Sequence, residues 1–102
     1  ILKLPKLVRD KIPKIIKESG KTCEYHIADY DEYKTRLYKK MREELDEFID
    51  TPCEEEAADM YEVLQAICKL HGLNMWNIQY VAADKQSHNG GFNNRIILDR
   101  VD

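Results

Sequence analysis

The stretch Glu43-Glu44-Leu45-Asp46-Glu47-Phe48-Ile49-Asp50-Thr51-Pro52-Cys53-Glu54-Glu55-Glu56-Ala57-Ala58-Asp59 decides the fold. Both flanks of the Thr-Pro step read as helix, and a residue that precedes proline avoids the α region, so the first helix should end near Asp50. Thr51-Pro52-Cys53-Glu54 has the form of a capping box with proline at the first helical position, which predicts a second helix starting at Pro52 with Thr51 as its N-cap. Joined by so short a connection, the two helices should fold back antiparallel.

Counting from the pivot then says which side chains meet. Glu47 lies four positions before Thr51 and Glu56 five after it, so these two should share a level; Glu44 and Asp59, seven before and eight after, should oppose each other one turn further on. Within each helix the partners are three apart and share a face. Four carboxylates converging in this way repel one another unless protons or a cation intervene. Glu44, Glu47, Glu56 and Asp59 are therefore the predicted metal ligands. A set of hard oxygens without histidine or cysteine favours Mg²⁺, with Mn²⁺ as a substitute, over Zn²⁺. Because Mg²⁺ takes substrate phosphate oxygens among its ligands, a phosphorylated substrate is the natural partner. The competing reading is a solvated acidic face: Glu54, Glu55 and Glu56 suit the dipole of a helix N-terminus without any further role. Against it, Leu37, Met41, Leu45 and Phe48 form the predicted core stripe of the first helix, and Glu44 borders that stripe while Glu43 and Glu47 point further away.

The rest of the chain reads as a small helical domain. A short helix capped by Asp10 should run to Ser19 and stop at Gly20, with Pro13 in its first turn. Cys23, Tyr25 and Ile27 alternate with Glu24 and His26 as an extended segment does, and Asp29 or Asp31 should open the long helix that carries the first acidic motif. The second acidic helix has Met60, Leu64, Ile67 and Cys68 on its apolar side and should end near His71-Gly72. Asn74 looks like the cap of a last helix reaching about Gln86, Asn89-Gly90-Gly91 like its exit, and residues 95–98 like a strand or an extended arm. The expected fold is all-α, an antiparallel bundle of about four helices forming one domain over residues 1–102. A core this small leaves little margin, so oligomerisation is expected to complete it.

Composition narrows the function classes. A net charge of −3 and no clear basic stripe argue against a nucleic-acid binder. No apolar run approaches the roughly 20 residues needed to cross a bilayer and no signal peptide is visible, so a cytoplasmic, membrane-free protein is expected. Three cysteines without a CxxC pattern read as reduced structural thiols. The scattered His26, His71 and His88 do not read as metal ligands.

Glu43-Glu44-Leu45-Asp46-Glu47 followed by Glu56-Ala57-Ala58-Asp59 resembles the EExxE and ExxD signature of the all-α nucleoside triphosphate pyrophosphohydrolases, the MazG-like superfamily that includes phosphoribosyl-ATP pyrophosphohydrolase. The opening Lys6-Leu7-Val8-Arg9-Asp10-Lys11-Ile12-Pro13 and the closing Gly90-Gly91-Phe92-Asn93-Asn94-Arg95-Ile96 resemble the ends of a compact single-domain branch of that superfamily. The interval between the acidic motifs, eight residues, is shorter than in many relatives, where a longer loop can help shape the substrate pocket. The resemblance implies Mg²⁺-dependent hydrolysis between the α and β phosphates of a nucleotide, a house-cleaning role, and a homodimer or higher homo-oligomer. It implies that Glu44, Glu47, Glu56 and Asp59 hold metal, and it makes Glu43 and Glu47 the candidates for orienting or deprotonating the attacking water, with no unique base. Arg9, Lys11, Lys85 and Arg95 are the candidate phosphate-binding cations, because each lies in or near a matching end segment. Two other readings stay open: phosphoribosyl-ATP pyrophosphohydrolase itself, and a non-catalytic helical interaction module whose acidic face meets a basic partner.

Overall fold

The computed structural model describes residues 4–102 and is all-α there: α1 (Ile12–Glu18), α2 (Tyr30–Asp50), α3 (Glu54–Leu70) and α4 (Met75–Asn89). The expected extended segments at 23–27 and 95–98 form no strand among the described residues.

Local chemistry explains most of the boundaries. The Asp29 carboxylate accepts the Glu32 N–H at 2.9 Å and opens α2, with Asp31 and Glu32 complementing the dipole of the first turn. Asn74 caps α4 in the same way, accepting from the Trp76 and Asn77 N–H groups. Helix α4 runs through Asn89, one turn beyond the expected end, until Gly90 at φ 83° supplies a left-handed residue. The N-cap of α1 is Lys11 and not Asp10, and its side chain makes no capping bond.

The cap expected at Thr51 is not formed. Thr51 closes α2 instead, its N–H donating to the Glu47 carbonyl at 3.0 Å, and α3 begins two residues later than expected, at Glu54 after the extended Cys53. Proline is the cause: it holds Thr51 outside the α region (φ −136°, ψ 78°), leaving Pro52 and Cys53 to complete the reversal. Without a side-chain cap, the start of α3 rests on Glu54, Glu55 and Glu56 at the positive end of its dipole.

Helices α2 and α3 pack along each other, and their contact is the core. Leu37 (2% exposed), Val63 and Cys68 are buried, with Met41, Phe48, Met60 and Ile67 half-buried around them. The expected stripe needs one correction: Leu45 faces outward and Glu44 takes its place. The reason is helical phase, since Leu37, Met41, Glu44 and Phe48 follow the 0, 4, 7, 11 progression of one face and Leu45 falls beside it. On α3 the same progression joins Glu56, Met60, Val63 and Ile67, leaving Leu64 outside it and exposed. The α3 stripe thus ends in a glutamate toward the reversal, and on α2 Glu44 interrupts the stripe one turn before Phe48. At the other end of the hairpin the Tyr38 hydroxyl is hydrogen-bonded to His71 Nε2, the rings stacked with centroids 6.1 Å apart. No residue of α1 or α4 is buried.

Candidate metal centre

Three carboxylates meet where the two stripes turn acidic. Glu44 from α2 and Glu56 and Asp59 from α3 each place an oxygen within 4.8 Å of the others. That is close to the roughly 4.2 Å diameter of an Mg²⁺ coordination sphere. The reversal creates the arrangement, because the short Thr51–Cys53 connection brings Glu44, six positions before Asp50, level with the second turn of α3.

Burial separates this cluster from an ordinary acidic face. Glu44 is only 6% exposed, and its Oε2 and the Oε2 of Glu56 are buried without a hydrogen-bond partner. The nearest cation to Glu44 is Lys40, one helical turn earlier, at 3.6 Å from Oε1. Orphaned oxygens of this kind are rare in folded proteins, and an ionised carboxylate is costly to bury without compensation. Burial pushes the Glu44 carboxyl above its ordinary value, Glu47 pushes it further, Lys40 opposes and Asp59 adds to the rise. Glu56 is raised by desolvation first and then by Glu47 and Asp59. The site thus calls for either protons or a cation, and its donor set of hard oxygens fits Mg²⁺ or Mn²⁺.

The other expected residues fall into place unevenly. Glu47 is exposed and lies outside the converging triad, yet its charge helps raise the carboxyls of both Glu44 and Glu56. Glu43 is half-buried on the flank of α2 away from the triad's centre, beside Lys39 and Lys40. Of the four expected phosphate-binding cations, Arg9 alone reaches the cluster: its guanidinium bonds Asp59 Oδ1 at 2.7 Å and pairs with Glu62. Lys11, Lys85 and Arg95 are exposed and make no ion pair among the described residues. Lys40 was not among the expected residues; its spacing of four from Glu44 is the signal that marks it.

No family model matches this chain, and neither does any curated protein or solved structure.

Proposed function

We propose that this chain is an Mg²⁺-dependent nucleotide pyrophosphohydrolase of the all-α, MazG-like kind, cleaving nucleoside triphosphates between the α and β phosphates. The observation that carries the reading is the buried Glu44 carboxylate, with an oxygen lacking any partner, converging on Glu56 and Asp59 across the hairpin. A mere acidic face would leave those oxygens in water.

Glu44, Glu56 and Asp59 hold the ion, with Glu47 completing the set from the exposed side. When bound, the ion neutralises phosphate charge as it builds in the transition state. Glu47 or Glu43 orients the attacking water and takes its proton. That water attacks the α phosphorus, the bond to the α–β bridging oxygen breaks, and a nucleoside monophosphate and pyrophosphate leave. Arg9, already beside Asp59, turns to grip a phosphate bidentately. The active form is a homodimer or higher homo-oligomer and the role is house-cleaning.

Pyrophosphate release across a panel of standard and modified nucleoside triphosphates plus phosphoribosyl-ATP, with Mg²⁺, Mn²⁺ or EDTA, tests the proposal. Release that requires metal and is lost in Glu47→Ala is expected, and the preferred substrate separates house-cleaning from the biosynthetic reaction. A folded chain that binds neither metal nor any nucleotide of the panel is a non-catalytic interaction module instead.

A further inference from the structure

The hairpin has two unlike sides. Each helical position advances by about 100°, so residues one step before the core stripe turn to one side of a helix and residues one step after it to the other. Helices α2 and α3 run antiparallel, since Glu44 meets Asp59 toward the reversal and Tyr38 meets His71 at the far end. In two right-handed helices packed that way, equal offsets from the stripe face the same side. One step before the stripe stand Arg36, Lys40, Glu43 and Glu47 on α2, all charged, and Glu55, Asp59 and Glu62 on α3 before the run closes at Ala66. One step after it stand Tyr38, Arg42, Leu45 and Ile49 on α2, and Ala57, Tyr61, Leu64 and Cys68 on α3. Arg42 is the single charge at these second positions, and helical phase puts it nearest the back of α2, at the border of the face.

Within the described residues the chain crosses only the charged side. Its N-terminal segment lies there, the Pro5 carbonyl accepting from Arg36 and Arg9 reaching Asp59 and Glu62. On the apolar side Leu45, Ile49, Tyr61 and Leu64 are exposed. The apolar C-terminal run of Ile96, Ile97 and Leu98 is exposed too, so it does not lie over them. The surface left uncovered is large. The chain exposes 9611 Å² for a mass of 12.0 kDa, where a compact monomer of that mass exposes about 6,000 Å². The difference exceeds the roughly 800 Å² that each partner contributes to an ordinary protein–protein interface.

We propose that this face is a two-fold interface on which the same face of a second copy lies, α2 and α3 of both chains forming a four-helix bundle. A surface whose single charge stands at its border offers a nucleic acid or a charged peptide nothing to pair with, and it suits a partner surface as poor in charge as itself. A second copy presents one at equal concentration, and a two-fold contact asks only that a patch complement itself. The arrangement leaves the charged side, with the triad and Arg9, turned away from the interface in both copies. It goes beyond the reading above, which names an oligomer and no contact, and it needs none of that reading's chemistry.

Sedimentation of the full chain tests this on the wild type, Leu45→Glu and Leu45→Lys, with Glu55→Gln on the charged side and Ile97→Glu in the C-terminal arm as controls. Each Leu45 charge should weaken self-association at least about tenfold and the controls less than about twofold. Mixed in equal amounts, Leu45→Glu and Leu45→Lys should recover association, because opposite charges then meet across a face that packs on itself. Leu45 is exposed, so the variants keep the core; an unchanged circular dichroism spectrum certifies this, and the milder Leu45→Ala should shift association in the same direction. A wild type that is monomeric at roughly 100 µM, Leu45 variants that associate as the wild type does, or a mixture that stays apart overturns the proposal. Loss in Ile97→Glu alone assigns the contact to the C-terminal arm and overturns it as well. Association through Leu45 in a chain that hydrolyses no nucleotide keeps the interface and overturns the catalytic reading; hydrolysis with Leu45-independent association does the reverse.

Discussion

Arg9 Nη2 stands 2.7 Å from Asp59 Oδ1, so this half-buried member of the acidic triad already carries a counter-ion supplied by the N-terminal segment. Metal and arginine compete for the same carboxylate, while phosphate and arginine attract.

Opposite effects on two ligands follow for Arg9→Ala. Mn²⁺ alone should bind up to about fivefold tighter, the equivalent of the roughly 1 kcal/mol that bounds an exposed ion pair. Nucleotide turnover, as kcat/KM, should fall about tenfold or more through the lost charged hydrogen bond. A variant that changes neither makes Arg9 a tether for the N-terminal segment and nothing else.

Glu44→Gln keeps the shape of a buried side chain and removes its charge. At metal concentrations about 100-fold above Kd a bound ion adds about 2.7 kcal/mol of stability. Thermal or urea unfolding of the wild type with Mg²⁺ or Mn²⁺ should show an increment of that order, and the variant should lose most of it. In EDTA at neutral pH the variant should be at least as stable as the wild type, because the fold disfavours the ionised form of Glu44. A metal increment equal to that of the wild type would remove Glu44 from the ligand set.

The same groups set a pH dependence whose sign is fixed. Glu44 and Glu56 both have their carboxyls raised in the fold, by desolvation first and then by Glu47. The native state therefore binds protons more tightly than the unfolded chain, and the contribution of these groups is fully present below their unfolded values and lost as pH rises through the folded ones. In EDTA, their part of the stability should grow as pH falls from neutrality into the carboxylate range, while the added stability from Mg²⁺ shrinks as protons displace the ion. Unfolding midpoints measured with and without metal should converge toward low pH in the wild type, and in Glu44→Gln/Glu56→Gln the convergence should vanish.

The hairpin and its acidic facing were legible because proline and helical spacing are local signals: Thr51-Pro52 stops α2, and residues three and four apart share a face. The cap was misplaced because a capping box and a pre-proline helix end make rival claims on the same threonine, and the stop prevails at Thr51. Leu45 departs from the expected stripe because helical phase outweighs apolar character, and the interface takes Glu44 at the phase-correct position.

Self-association is the last expectation, and it rests on surface the hairpin leaves open. The radius of gyration is 18.1 Å, against about 13 Å for a compact chain of roughly 100 residues. On the outward side of the hairpin, Leu45 is 44% and Ile49 65% exposed, one turn apart on α2, with Tyr61 and Leu64 exposed on α3. Trp76, Tyr80 and Val81 on α4 are likewise uncovered. Exposed apolar side chains on three helices give a partner something to cover, and a second copy offers an equivalent face at the same concentration, so sedimentation should find a dimer or larger. Ile49→Asp places a charge in that interface and should weaken association at least about tenfold without altering the triad, because Ile49 lies off the stripe that carries Glu44. A wild-type chain that is monomeric at roughly 100 µM, an association weaker than about −5.5 kcal/mol, would leave those side chains to some other partner.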